Sequence, residues 1–158
     1  MTDNKVLNLL IFLLIFHGLA GVVLLGAISH QASSCLLQNA NPQGNILRRY
    51  ASVNSSAFIN TVIISYLITF VLGSILYPAY RLEVRIAFEE MQLGWAIGLF
   101  EIKEHWGALG LAALPLYSGV WRSPEGDRLA RTGITLSLAV IVWFNFIAGH
   151  LLNNYRGL

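Results

Sequence analysis

Long apolar runs separated by short polar stretches dominate the pattern of this chain. A helix needs roughly 20 apolar residues to cross the hydrocarbon core of a bilayer. Three runs reach that length, over residues 6–29, 58–77 and 132–152. The pattern therefore predicts a membrane-spanning helix in each of these three places.

A fourth apolar run, over residues 104–121, is shorter and follows a segment of mixed character. The first half of residues 82–103 alternates charged and apolar positions, which is typical of a helix lying in the membrane interface. Two interpretations are open. In the first, this amphipathic helix leads into a short third span over 104–121. In the second, one long helix begins near Met91 and carries Glu101 to His105 inside the membrane. The first is favoured, because charged side chains at bilayer depth are costly.

The first two spans are joined by a polar stretch over residues 31–57. Its Pro42, its Gly44 and its repeated Asn and Ser residues are typical of a loop, and a short helix is expected near residues 46–50. Four spans place both termini on the same side of the membrane. The predicted fold class is therefore an all-α integral membrane four-helix bundle with an interfacial amphipathic helix before the third span. Residues 1–158 are predicted to form a single transmembrane domain.

Composition agrees with a lipid environment. Hydrophobic residues make up 56% of the chain and charged residues 11%, whereas soluble domains are usually about 25% charged. So few charges cannot cover a water-facing surface, and the lipid bilayer is the first partner expected. A net charge of +2 without a basic stripe argues against nucleic-acid binding. The single cysteine, Cys35, excludes an intrachain disulfide and a cysteine-cluster metal site.

The positive charges do not orient the chain in the membrane. The side of the termini carries Lys5, Arg81, Arg85, Lys103 and Arg156, and the other side carries Arg48, Arg49, Arg122, Arg128 and Arg131. The positive-inside rule depends on a difference between the two sides, and here the two sides are equal. A bacterial inner membrane is the favoured location.

The four histidines all lie in spans or at their ends. His105 opens the predicted third span and His150 closes the fourth, so both lie at the membrane face that carries the termini. Two imidazoles from neighbouring helices at one depth can hold a haem b or form part of a metal site. His17 lies mid-span before Gly18 and Gly21, which leave room for a flat ligand or for close helix packing. His17 is therefore the alternative ligand, although a packing histidine explains it equally well.

Other histidine-containing motifs fit less well. His17 and His30 are 13 residues apart, which turns a helix by about 220° and leaves them on different faces. The paired histidines of quinol-oxidising cytochromes b share one face, so that pattern is not met. Glu101 and His105 are four residues apart and share a helix face, which fits a carboxylate that orients the imidazole. The Glu-x-x-His element of diiron bundles does not occur, because Ile102 stands three residues before His105.

Two functions of different classes follow. The first is a redox subunit that holds haem b and passes electrons between a quinone and a partner protein. His105 and His150 would be its axial ligands, His17 the alternative ligand, and Glu101 the residue that tunes His105. The second is a non-catalytic accessory subunit that packs against other membrane subunits or against copies of itself. The histidines at span ends would then be interfacial residues. The chain lacks a phosphate-binding loop, a nucleophile elbow and HExxH, which argues against an ATPase, a serine hydrolase and a zincin. Whether it is an enzyme of another kind stays open.

Overall fold

A computed structural model describes residues 2–37, 43–123 and 127–156. Within these ranges the regular structure is helical, which confirms the prediction of an all-α protein. In chain order the elements are α1 (Thr2–Leu36), α2 (Ile46–Ala51), a 3₁₀ turn (Ser55–Phe58), α3 (Ile59–Ala79), a π-helical turn (Tyr80–Val84), α4 (Arg85–Glu90), α5 (Gly94–Arg122) and α6 (Arg128–Arg156). The short helix expected near residues 46–50 is α2.

Three helical stretches of the described chain are long and apolar enough to cross a membrane. They are Asn4–Leu36, Ser55–Glu90 and Arg128–Tyr155, and they contain the runs predicted as the first, second and last spans. The structure is thus consistent with a membrane protein. The long helix α5 is not among the three.

The helical path of α3 continues past its predicted end through a widened turn. Pro78 has no amide hydrogen, so it cannot complete the hydrogen bond to the carbonyl of Ser74. Shortly afterwards the amide of Arg85 donates to the carbonyl of Tyr80, five residues earlier. Such a turn contains one residue more than an α-helical turn. Helices α3 and α4 therefore form one continuous path with a change of register between them.

A sharp break then separates α4 from α5. Gln92 has the left-handed backbone angle φ of 57°. Its amide donates to the carbonyl of Glu89 at 3.0 Å, and the amide of Leu93 donates to the carbonyl of Phe88 at 2.8 Å. This pair of hydrogen bonds is the Schellman arrangement that ends many helices, and the apolar contact between Phe88 and Leu93 accompanies it.

The break divides the segment that the sequence predicts as one amphipathic helix over residues 82–103. Helix α5 begins at Gly94, and Glu101 to His105 lie inside its continuous 29 residues. This is the helix geometry of the second interpretation, in which one long helix starts near Met91. The depth of that helix in a bilayer stays a prediction.

Directed hydrogen bonds link the long helices. Helix α1 contacts α3 and α6, and α5 contacts α6 and α3. The hydroxyl of Tyr66 on α3 donates to the carbonyl of Gly107 on α5 at 2.8 Å. The indole of Trp143 on α6 donates to Ser29 Oγ on α1 at 2.9 Å. Neighbouring helices run antiparallel, since residues early in one lie beside residues late in the other.

Apolar packing is concentrated at the two ends of this arrangement. The larger cluster joins the second half of α1 and the first half of α3 to the end of α5 and the first half of α6, and includes Ile28, Val62, Tyr117 and Leu138. A smaller cluster at the opposite end contains Phe88, Ala96 and Leu152. Residues 4–23 of α1 contain no buried residue. The middle of the molecule is therefore less tightly filled than its ends.

Close packing at Gly110 gives a direct test of this arrangement. A Cβ added there would collide with the hydroxyl of Tyr66, which is buried and held by its bond to Gly107. We expect Gly110→Ala to lower the free energy of unfolding by about 1–3 kcal/mol, the usual cost of overpacking. Thermal unfolding in detergent measures the change.

The matched control is Gly119→Ala in the same helix, where an added Cβ meets no described atom within 4 Å. Because alanine favours a helix over glycine, this variant should melt at the wild-type temperature or above it. Equal melting temperatures for the two variants would contradict the contact between α3 and α5.

Candidate functional site

A cavity of about 450 Å³ lies between the two apolar clusters. Leu24 and Val142 of the larger cluster and Leu152 of the smaller cluster all contribute to its walls. All four long helices line it. From α1 it takes positions 7, 10, 11, 14, 17, 18, 21 and 24, and this spacing of three and four residues marks one face of a helix. Its volume is typical of sites for small molecules and cofactors, about 300–1,000 Å³.

Polar side chains line the part of the cavity that leads to the smaller cluster. They include His17, Thr69, Tyr80, Lys103, Glu104 and His150. The remaining walls are mostly apolar. A mostly apolar cavity with a few convergent polar groups is the usual form of a ligand site.

His17 is held in a defined orientation within this cavity. Its Nδ1 lies 2.9 Å from the carbonyl oxygen of Thr69. Because a carbonyl only accepts, Nδ1 carries the proton, and Nε2 keeps its lone pair. Proteins fix the ring of a metal-ligating histidine in this way. The ring also packs against Gly73, where an added Cβ would lie 3.2 Å from Cε1 of His17.

His150 reaches the same cavity at the same level. Helices α1 and α6 are antiparallel, and a Cβ at Gly21 would lie 3.9 Å from the ring of Phe146. His17 lies four residues before Gly21 on α1, and His150 lies four residues after Phe146 on α6. Equal steps of 1.5 Å per residue keep the two at one level along the helix axes. His17 and His150 thus line one cavity, with His17 partly buried and His150 exposed.

His105 and Glu101 lie elsewhere. Both are exposed, and neither lines the cavity. The imidazole Nδ1 of His105 bonds to the backbone carbonyl of Glu101 at 2.7 Å, so the contact uses the main chain and not the carboxylate. Lys103 packs beside Gly149, which places His150 nearer the level of Lys103 than that of His105. The structure therefore does not bring the predicted pair of His105 and His150 into one cavity.

Lys103 and Glu104 enter the site although the sequence analysis did not select them. Their side chains form an ion pair at 3.3 Å, and Lys103 Nζ lies 5.3 Å from the ring centre of Phe100. The Phe100 ring in turn stacks on Tyr80, with centroids 3.4 Å apart. Phe100, Lys103, Glu104 and Gly107 all line the cavity at helical spacing. The spacing of three and four residues among these positions is the only sign in the sequence that they share one face of a helix.

Two hydroxyls in the cavity wall have unusual surroundings. Thr69 Oγ1 and Tyr80 Oη are buried and have no hydrogen-bond partner among the described residues. Buried polar atoms nearly always have a partner, so each exception calls for an explanation. Both residues line the cavity, but their hydroxyl oxygens have almost no accessible surface, so a bound molecule would reach them only after rotation of the side chain.

In the described part of the chain, no group of three or more His, Cys, Asp or Glu side chains is placed to hold a metal ion. A haem needs only two axial side chains from the protein. Comparison with protein-family models, with curated proteins and with solved structures finds no match to this chain. The cavity itself is therefore the basis for inferring a function.

The unpaired hydroxyl of Thr69 yields a test by isosteric substitution. In ligand-free protein, Thr69→Val removes a buried polar atom without a partner. The variant should be as stable as wild type or more stable by up to about 1 kcal/mol, because no protein hydrogen bond is lost. Thermal unfolding of detergent-purified protein without added ligand measures the difference.

The control is Thr135→Val. Thr135 is fully buried, accepts a bond from Trp121 Nε1 at 2.9 Å and donates to the carbonyl of Arg131 at 2.7 Å. Its loss strands the indole donor and should cost about 1–3 kcal/mol. Equal destabilisation by both substitutions would mean that Thr69 has a protein partner after all.

Proposed function

We propose that this chain is a membrane redox subunit that holds haem b in the cavity and passes electrons between a quinone and a partner protein. One observation carries the proposal: His17 and His150, on the adjacent helices α1 and α6, line the same cavity. A haem held by two imidazoles supplies reversible one-electron transfer.

In this proposal α5 is a fourth span, and α1, α3, α5 and α6 form a four-helix membrane bundle with both termini on one side. The 29 residues of α5 correspond to about 43 Å of helix, which exceeds the thickness of the hydrocarbon core, about 30 Å. Lys103 and Glu104 then face the cavity, which is how membrane proteins tolerate charges within a span. The contact between Trp95 and Tyr155, with ring centroids 4.9 Å apart, suits the interface at the side of the termini.

The proposed ligands are His17 and His150, in place of the His105 and His150 pair expected from the sequence. The backbone of Thr69 orients the His17 ring and leaves Nε2 as the ligating atom. Gly18 lines the cavity beside it, and its lack of a side chain leaves space for a flat ring, whereas the space at Gly73 is filled by the imidazole of His17. His105 is exposed outside the cavity, so Glu101 has no ligand to tune in this arrangement.

The other polar residues of the cavity would bind charged or polar edges of the ligands. The ammonium of Lys103 is suited to a carboxylate such as a haem propionate. The hydroxyls of Thr69 and Tyr80, which lack protein partners among the described residues, are suited to donate to a propionate or to a quinone carbonyl. The apolar face of α1 along the cavity suits an isoprenoid tail.

The alternative function is a non-catalytic accessory subunit of a larger membrane complex. The first two-thirds of α1 favour it, because residues 4–23 contain no buried residue. Another membrane subunit or a second copy of this chain would cover that apolar surface. In this alternative, His17 and His150 serve only in packing and at the interface.

The visible spectrum of the purified protein tests the redox proposal. Protein made with haem available and purified in mild detergent should show a Soret band and sharp bands on reduction. We expect His17→Ala and His150→Ala each to abolish six-coordinate haem, since each removes one axial ligand. His105→Ala is the matched control and should leave the spectrum unchanged.

Other outcomes discriminate among the alternatives. Loss of the spectrum in His105→Ala with retention in His17→Ala would restore the pairing expected from the sequence and exclude the one proposed. Colourless wild-type protein that co-purifies with other membrane subunits would support the accessory role.

The proposed four spans have a topological consequence. Tags placed before residue 2 and after residue 156 should lie in the same compartment, because an even number of crossings returns the chain to its starting side. Protease protection of the two tags in sealed membrane vesicles measures this. Tags on opposite sides would exclude α5 as a span.

A further inference from the structure

A second cavity, of about 420 Å³, lies at the opposite end of the molecule from the histidine site. It is formed where the end of α1 meets the 3₁₀ turn and the first turn of α6. Its walls include Ser34, Ser55, Trp121, Arg128 and Arg131. No Asp or Glu is among its described lining residues. Two guanidinium groups thus share a polar cavity whose described lining residues include no carboxylate.

Arg131 is fixed in this cavity by its neighbours. Its Nε donates to the carbonyl of Val120 at 3.3 Å, and its guanidinium lies 5.2 Å from the ring centre of Trp121. These contacts use one donor and one face of the group. The terminal Nη1 and Nη2 donate to no described residue. A planar guanidinium held in place with its terminal fork unused is suited to bind an oxyanion through two bonds.

The surrounding groups add to the positive potential. Arg128 is the first residue of α6, so both guanidiniums lie in the turn where the helix dipole is already positive. The first turn contains no acidic residue. Asp127 precedes it, but its carboxylate accepts from the amide of Leu129 at 2.8 Å, and it does not line the cavity. Without an anion, these like charges repel one another.

A hydroxyl donor completes the set. The hydroxyls of Ser34 and Ser55 are hydrogen-bonded to each other, and Ser55 Oγ also lies 3.4 Å from the carbonyl oxygen of Val53. When Ser55 donates to Ser34, the hydrogen of Ser34 can donate to a bound anion. Arg128, Arg131 and Ser34 approach the cavity from two different helices. Donors from several directions match the oxygens of a tetrahedral anion better than a planar carboxylate.

We propose that this second cavity binds a phosphate group, with Arg128 and Arg131 as charge partners and Ser34 as a hydrogen-bond donor. Basic pockets between helices near a membrane surface are a recurrent binding site for phosphate headgroups. The phosphate comes either from an anionic lipid or from free phosphate. This site is separate from the histidine cavity, and its occupancy does not depend on haem.

The experiment measures the melting temperature of the full chain in non-ionic detergent micelles. Phosphatidylglycerol, phosphatidylcholine or inorganic phosphate is titrated into separate samples. We expect phosphatidylglycerol to raise the melting temperature and phosphatidylcholine to have little effect. A matching rise with inorganic phosphate alone identifies a small-ion site. A rise with phosphatidylglycerol alone identifies a lipid headgroup. No rise with either anion overturns the proposal.

Variants assign the effect to the cavity. Arg131→Gln and Arg128→Gln should each weaken the apparent affinity about tenfold or more, as expected for the loss of a charge-assisted hydrogen bond. Arg49→Gln is the matched control, because Arg49 is exposed on the same side and lies outside the cavity. Arg128 is exposed, so its variant remains informative if Arg131→Gln fails to fold. Full affinity in Arg128→Gln, or equal loss in Arg49→Gln, overturns the assignment.

Discussion

The arrangement depends on one constraint: polar groups that leave water must find partners inside the protein. Gln31 shows how this constraint is met. Its side chain is fully buried, donates to the carbonyl of Ser55 at 3.0 Å and accepts from the hydroxyl of Tyr117. One amide thereby joins α1 to α5 and to the 3₁₀ turn. Apolar contacts between helices are not directional, whereas a buried hydrogen bond requires two particular atoms to meet. Such bonds therefore fix the axial position of each helix relative to its neighbour.

The same constraint draws attention to the buried polar groups that have no partner in the described part of the chain. Near the larger cluster the buried donors of Tyr117 and Trp121 have protein partners. Around the first cavity, the hydroxyls of Thr69 and Tyr80 have none among the described residues. Unused hydrogen-bonding capacity is therefore found in the wall of the first cavity, and also at Nδ1 of His30 beside the larger cluster.

Much of the helical structure could be predicted from the sequence because apolar length is a local property. The runs at 6–29, 58–77 and 132–152 each lie within an observed helical stretch. The break between α4 and α5 could not be predicted, because a glycine usually marks such a cap and here Gln92 adopts the left-handed conformation.

The candidate site was only partly predictable for a different reason. His17 and His150 could each be selected from their place in a span. Whether they face each other depends on the axial offset between α1 and α6. The hydrophobic periodicity of a single helix carries no information about that offset. In the sequence, Lys103 could only be counted among the positive charges on the side of the termini. Its place in the cavity depends on α5 being one continuous helix from Gly94.

The widened turn at Tyr80–Val84 has a consequence for the angular phase of the chain. Each residue of an α-helix advances the direction of its side chains by about 100°. One additional residue in a turn therefore rotates everything beyond it by that angle relative to an unbroken rod. Helix α3, before the turn, packs against α1, and α4, after the turn, directs Phe88 toward Leu152. A single helical path thus meets two packing demands that no uniform helix of this sequence would satisfy together.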